Sequence, residues 1–498
     1  MSQLQPGDHL LIAPGVYRDA LLFPERNWAS ADTVVEGQGA VLVKGSDEVK
    51  GWKALGEGRY VRDWLQETSQ VFVNGKSLRQ IGGTLFDGYP EKPGHPLQSL
   101  HRSQGGIWPA RTQGNEDTLQ PDSFYYSRER KSLFIRLAAG SIDAVAIEVS
   151  TRPHVMLGKN LDRITVRNLA LSHSNTSPSV RGGLVTLMGN RITAENISVT
   201  LADSIGIQLV GDDIALLKSS ANECGQLGIN ARGKRMRLID NETSGNNTRG
   251  FNKWWEAGGI KLVGAGGLQD STITGHRALG NFGDGIWFDW KNRNNRVENS
   301  LAAYNAGMGI HYEASTGAVI TGNTVVGNEQ RGIYLPHTSD SEVSHNVVAG
   351  NTQEGIVVMD EGARDPDGKT SFRPKGNRIF GNVVAWNRAA LYFPAELADN
   401  RSDANLYIGT PLQTRFSLGW PRLGSDRLFE WVSNTGQDRN SKALELPMDP
   451  AFAKSLSERQ KVPDLAWIRT VNAAEVLKTR PEWALQQRVD AGRPGTIQ

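Results

Sequence analysis

The sequence predicts an all-β fold, a right-handed parallel β-helix with a small antiparallel β insertion and a C-terminal tail. Three observations lead there. First, a Gly-Ile-x-apolar unit recurs at Gly206, Gly228, Gly259, Gly285, Gly309, Gly332 and Gly355, in steps of 22, 31, 26, 24, 23 and 23 residues. A period near 23 is too short for a strand–helix–strand unit of ~30 residues and fits one coil of a β-solenoid. Second, another strand recurs half a period on, at Arg296-Val297-Glu298-Asn299, Val319-Ile320-Thr321-Gly322-Asn323 and Glu342-Val343-Ser344-His345-Asn346. Third, glycine supplies 55 of 498 residues, and 25 of the 32 asparagines fall between residues 151 and 400. That composition suits many short strands joined by tight turns.

The elements follow in order. Residues 1–50 read as the first coils, where Pro6-Gly7-Asp8 leads into Leu10-Leu11-Ile12-Ala13-Pro14-Gly15-Val16-Tyr17. A first coil exposes its core end unless a cap precedes it. The expectation is therefore a chain that is secreted or periplasmic in full-length form, its leader and cap removed. Residues 51–148 interrupt the repeat. Val71-Phe72-Val73-Asn74-Gly75-Lys76 is a hairpin signal, and Phe124-Tyr125-Tyr126 with Leu133-Phe134-Ile135-Arg136-Leu137 adds strands of a β-sandwich-like insertion. Residues 149–410 form the main helix. Asn281, Asn305, Asn328 and Asn351 each stand four residues before their glycine, so their amides are expected to hydrogen-bond from coil to coil. Cys224 fills the same slot four residues before Gly228, as a small buried side chain. Residues 411–498 form a capping tail with a helix-like stretch from Asn472 to Lys478.

Composition excludes several classes of function. Lys plus Arg number 55 and Asp plus Glu 53, a formal charge of +2, and no basic run marks a nucleic-acid footprint. No run of 18 apolar residues is present to cross a membrane. A single cysteine rules out an intrachain disulfide and a cysteine-rich zinc site. No cofactor is implied. Asp365-Pro366-Asp367-Gly368 offers a faint calcium-loop pattern.

The repeat also locates chemistry. Alternate residues of a strand share a face. With the Ile inside, the residues two and four places after each glycine point outward. The first column runs Gln208, Asn230, Lys261, Trp287, His311, Tyr334, Val357, and the second Val210, Arg232, Val263, Asp289, Glu313, Pro336, Met359. Asp289 and Glu313 thus share a register on consecutive coils. Parallel strands lie ~4.8 Å apart, which matches the ~5–5.5 Å carboxyl separation of a retaining glycosidase. Two carboxyls this close favour one proton donor and one ionised partner. Lys261 is placed to keep Asp289 ionised. Trp287 and Trp290, with Trp254 and Trp255, offer ring faces to sugars. Asn292, Asn294, His311, Tyr334 and His337 offer hydrogen bonds, and Glu256 and Glu354 are further carboxylates near the cleft.

Gly285-Ile286-Trp287-Phe288-Asp289-Trp290, with Glu313 one coil on, resembles the β-helical glycoside hydrolases of the β-xylosidase and α-L-fucosidase/xylanase families. Glu256-Ala257-Gly258-Gly259-Ile260-Lys261, the Asn-Gly-Lys hairpin, and Glu430-Trp431 with Thr435-Gly436-Gln437-Asp438 resemble their segments too. The resemblance implies that Asp289 is the nucleophile and Glu313 the acid/base of a retaining hydrolase with a carbohydrate substrate. Two other functions fit the scaffold. One is a polysaccharide lyase with Lys261 as base and Arg331 neutralising a uronate. The other is a non-catalytic, tailspike-like carbohydrate-binding β-helix, although no heptad tail for trimerisation is present.

Overall fold

Short strands that alternate inward and outward side chains bury a core only by stacking, coil on coil. A computed structural model describes residues 1–82, 114–176, 182–362, 372–419, 423–425, 427–459, 461–462, 464–471 and 474–484. The chain divides into two units, Met1–Ala231 with Ser244–Ala257, and Arg232–Thr243 with Gly258–Gln498. Both are built as parallel β-helix.

In the first unit, His9–Ile12 runs parallel to Thr33–Gly37, and Gly15–Tyr17 to Val41–Lys44. The long strand Met156–Ser172 pairs with Thr33–Gly37 and Val41–Lys44, and also with Gly183–Thr200. These long strands turn corners without losing their partners, because Asn160, Arg163, Asn168, Arg191 and Asn196 take left-handed φ values of 53, 56, 61, 49 and 51°. Val35, Val166 and Ala194 stack in register inside, at most 2% exposed. Ile207 and Ile229 continue the core at 1% and 0%. On the first strands Leu11, Val16 and Leu22 stay exposed.

Between Val41–Lys44 and Met156–Ser172 the chain leaves the coils to build two small sheets. In one, Ile147–Ser150 pairs antiparallel with Ser46–Glu48 and Val71–Val73, and Val71–Val73 turns back into Lys76–Ser77. Asn74 and Gly75 have φ of 49 and 78°, the left-handed pair that a two-residue type I′ hairpin needs. In the other, Lys53–Gly56, Arg59–Asp63, Ser132–Arg136 and Ser123–Ser127 are antiparallel, and Arg79–Gln80 joins in parallel. Val71, Phe124, Leu133, Ile135 and Val149 form the core between them.

The second unit has three strands per coil where the periodicity suggests two. The Gly-Ile strands Gly258–Leu262, Asp284–Asp289, Ile310–Glu313, Ile333–Pro336 and Glu354–Met359 stack in parallel. So do Thr272–Thr274, Arg296–Glu298, Val319–Thr321 and Glu342–Ser344. The third face consists of three-residue strands such as Leu301–Ala303, Thr324–Val326 and Val347–Ala349, too short to stand out in the sequence. Ile260, Ile286, Ile310, Ile333 and Ile356 stack inside, at most 1% exposed. The repeated glycine answers to crowding rather than to φ. A Cβ on Gly309 would lie 2.3 Å from Val325 Cγ1 and 2.8 Å from Asn328 Nδ2.

The asparagines form the expected ladder. The Nδ2 groups of Asn281, Asn305, Asn328 and Asn351 donate to Oδ1 of Asn305, Asn328, Asn351 and Asn387 at 2.8, 2.9, 2.9 and 2.9 Å. A second ladder joins Asn323, Asn346, Asn382 and Asn405. Asn299, the first of the periodic asparagines there, is one residue out of step. It occupies a corner with φ 48°, and Ser300 takes the ladder place, its N–H donating to Asn323 Oδ1 at 2.9 Å. In the first unit the Cys224 N–H donates to Asn246 Oδ1 at 2.9 Å, and burial pushes its thiol up to about 12.

After the last coils, Leu428–Thr435 and Pro450–Glu458 are amphipathic helices that bury Trp431 and Phe452. Asp438, fully inside, accepts from Trp431 Nε1, Tyr407 Oη and Ser441 Oγ at 2.9, 2.9 and 2.6 Å. Ala474–Lys478 forms a 3₁₀ segment, while Asn472 lies outside the described residues.

Candidate active site

Register fixes the centre of the site. On adjacent parallel strands Ile286 faces Ile310, Trp287 faces His311, Phe288 faces Tyr312, and Asp289 faces Glu313. Both carboxylates stand at strand ends, their side chains 13% and 14% exposed. One coil before, Lys261 pairs with Trp287, and its Nζ lies 3.1 Å from Asp289 Oδ2. On the other side, Trp287 Nε1–H donates to Glu313 Oε2 at 3.0 Å. The two acids therefore differ in surroundings: an ammonium attends Asp289, an indole N–H attends Glu313.

The column two places after each glycine behaves differently from expectation. It points away from the coil interior, yet Lys261, Trp287, His311 and Tyr334 are only 3, 5, 6 and 3% exposed. Long side chains standing one above another at the coil rise cover each other. Lys261 Nζ sits 3.2 Å from the Trp287 ring centroid, and Trp287 stacks on His311 at 4.9 Å and 8°. His311 meets the Tyr334 ring at 4.9 Å, and the Arg331 guanidinium lies 4.3 Å from that ring's centroid. These residues are thus a packed wall behind the carboxylates rather than an open surface. Burial raises the Tyr334 hydroxyl well above its usual range, and its O–H donates to Glu361 Oε1 at 2.6 Å.

The remaining candidates spread out. His337 lies 3.8 and 3.9 Å from Asp360 and Glu361, and burial lowers its pKa. Trp290 takes φ 73° and packs against Phe372 at 6.1 Å. Glu354 is held by Arg331 at 3.4 Å. Glu256 belongs to the first unit and is 8% exposed, and Trp254 of the same unit is 47% exposed. Asn292 and Asn294 are engaged by the fold itself. Asn292 is fully buried and bonds Leu268 N–H and Ser315 Oγ, while Asn294 turns a corner and donates to Asp270. Asp365 and Asp367 lie outside the described residues, and among the described residues no group of three His, Cys, Asp or Glu is arranged to hold a metal ion.

One residue of the site escapes the column pattern. Asp284 directly precedes the repeat glycine, and only the positions after the glycine carry the alternation. Its Oδ1 accepts the Met308 N–H at 2.8 Å, and its Oδ2 accepts His311 Nδ1–H at 2.8 Å.

A family model for the right handed beta helix region matches residues 183–351 and 253–393. No curated protein matches the sequence. Among solved structures, the complex of XylC with xylose is similar, at 15% identity and TM-score 0.57, over 81% of this chain and 78% of that one. A glycoside hydrolase is similar at 12% identity and TM-score 0.50, over 83% of this chain and 89% of that one. At such identities the likeness is one of fold. The chain is a right-handed parallel β-helix protein.

Proposed function

We propose that this protein is a retaining glycoside hydrolase in which Asp289 is the nucleophile and Glu313 the acid/base. The observation that carries this is the register pairing of Asp289 with Glu313, each with a different attendant, Lys261 and Trp287. Side by side on strands ~4.8 Å apart, the two carboxyls suit the ~5–5.5 Å spacing of double displacement better than the wider spacing of an inverting pair. Lys261 Nζ, 3.1 Å from Asp289 Oδ2, orients that carboxylate. The Asp289 carboxylate attacks the anomeric carbon as the bond to the leaving oxygen breaks, and Glu313 gives that oxygen its proton. Glu313 then takes a proton from water, whose oxygen attacks the same carbon and frees Asp289. Trp287 Nε1–H holds Glu313 Oε2 and so orients the carboxyl that carries the transferable proton. The likeness to XylC with xylose makes aryl xylosides the first substrates to try, before fucose, arabinose, glucose and galactose. With a polymeric substrate, a secreted or periplasmic location follows.

The test uses the substrate's leaving group. Glu313→Ala should keep its first step on activated aryl glycosides, stall as glycosyl-enzyme, and recover with azide. General acid/base help is worth ~10²–10⁴-fold, so poor leaving groups should lose about that much. Asp289→Ala should lose every substrate. Inversion seen by NMR of the first-formed sugar, or near-normal turnover in both variants, refutes the assignment. New absorbance near 235 nm on uronate polymers, the ~235 nm signature of an unsaturated product of lyase chemistry, would replace it with a lyase.

A further inference from the structure

His311 lies between two carboxylates, and one of them belongs to neither column of the repeat. Asp284, 4% exposed, spends one oxygen on the Met308 N–H and the other on His311 Nδ1–H, both at 2.8 Å. A carboxylate only accepts, so the ring hydrogen sits on Nδ1 and Nε2 is the nitrogen turned the other way. It faces Glu313 Oε2 at 3.6 Å and makes no hydrogen bond among the described residues. Trp287 and Tyr334 clamp the two faces of the ring at 4.9 Å. The imidazole is therefore held at an edge and on both faces, and one degree of freedom is left: a proton on Nε2.

From this geometry we propose that Asp284 is a positioning residue. It fixes His311 so that Nε2 presents positive charge to Glu313 whenever the ring is protonated, and this sets the proton affinity of the acid/base. The inference rests on the role of Glu313 proposed above. The charged and titratable groups around the ring are Asp284 from the preceding strand, Glu313 on its own strand, Lys261 behind Trp287, Asp289 beside Glu313, Tyr334 on the next strand, and Arg331 behind Tyr334. Among them the Asp284–His311 pair is the one aimed at Glu313 through a single rotationally fixed nitrogen.

Asp284→Asn keeps an oxygen for the Met308 N–H and removes the carboxylate that stabilises positive charge on the His311 ring. His311→Gln removes the ring. Both withdraw positive charge from Glu313, so the carboxyl should hold its proton to higher pH. The alkaline limb of kcat/KM, which reports the free enzyme's proton donor, should move up by about one unit in each variant. The double variant should move no further than either single one, because both act through the same nitrogen. Substrates with poor leaving groups should change more than activated ones, with KM little altered. A purely structural role would lower all substrates alike and leave the limb in place. If Glu313→Ala shows its leaving-group split and azide rescue while Asp284→Asn leaves the alkaline limb unmoved, or the shifts add, this inference is wrong and the proposed function stands. If Glu313→Ala shows neither, the proposed function itself has failed.

Discussion

Asn328→Ala tests how much one rung of the asparagine ladder contributes. Asn328 is fully buried. Its Oδ1 accepts the Asn305 backbone N–H at 3.0 Å and the Asn305 Nδ2–H at 2.9 Å. Its own Nδ2 donates to Asn351 Oδ1 at 2.9 Å and to Ala302 O at 3.1 Å. Alanine strands two donors on Asn305 inside a dry wall. Each stranded buried group costs about 1–3 kcal/mol, so the variant should lose roughly 4 kcal/mol of stability. Asn328→Asp keeps the shape and both acceptor bonds, but it turns a second oxygen on Asn351 Oδ1 and Ala302 O, and should cost as much at neutral pH. The assay is urea unfolding followed by circular dichroism. Asn294→Gly serves as control, because glycine accepts that corner's φ of 54° and the change removes the side-chain bond to Asp270 at 3.0 Å, so it should stay within about 1 kcal/mol. In a solenoid such losses fall on nearest-neighbour interfaces and do not spread. An Asn328→Ala value within about 1 kcal/mol of the control would refute the ladder as a source of stability.

Two further outcomes follow from buried groups. Burial pushes His173, stacked on Phe72 at 3.7 Å, down to about 4, and His276 to about 3. The folded protein keeps these rings neutral while the unfolded chain binds protons below about 6.5, so their contribution is intact above that pH and is lost as pH falls toward 4. For His173 the loss reaches roughly 3 kcal/mol, and a His173→Gln variant should unfold with a flatter pH dependence between pH ~7 and ~4; equal slopes would refute this. Trp287→Phe keeps the ring between Lys261 and His311 but removes the N–H from Glu313. Loss of a hydrogen bond to a charged group is worth about 1.5–3 kcal/mol, so kcat/KM should fall ~10–100-fold, most on poor leaving groups. An unchanged leaving-group dependence would show that this bond does not act on Glu313.

Periodicity made the coils legible because glycine, isoleucine and asparagine answer to contacts that repeat with every turn. The same arithmetic put Asp289 opposite Glu313 and Lys261 beside Trp287, since parallel register leaves no freedom there. It failed where contacts do not repeat. Asn299 recurs in step with Asn323 and Asn346 in the sequence, but a corner can tighten by one residue and give the rung to Ser300. Trp287, His311 and Tyr334 point outward as alternation requires and are nonetheless covered, because alternation gives direction and says nothing of what covers a side chain. Asp284 stayed invisible for a related reason. Its importance lies in reaching a neighbour's ring from ahead of the glycine, where the strand pattern has not begun.

The ladder also separates two distances that most folds tie together. Asn305 to Asn328 and Asn328 to Asn351 span 23 residues each, and Asn351 to Asn387 spans 36, yet every rung closes at 2.9 Å. Thirteen more residues between two rungs leave the closure of the rung unchanged. Corner loops are therefore free cargo. They can be lengthened, exchanged or grafted, and the register of Asp289 against Glu313 will not change, because backbone pairing sets it and loop length does not.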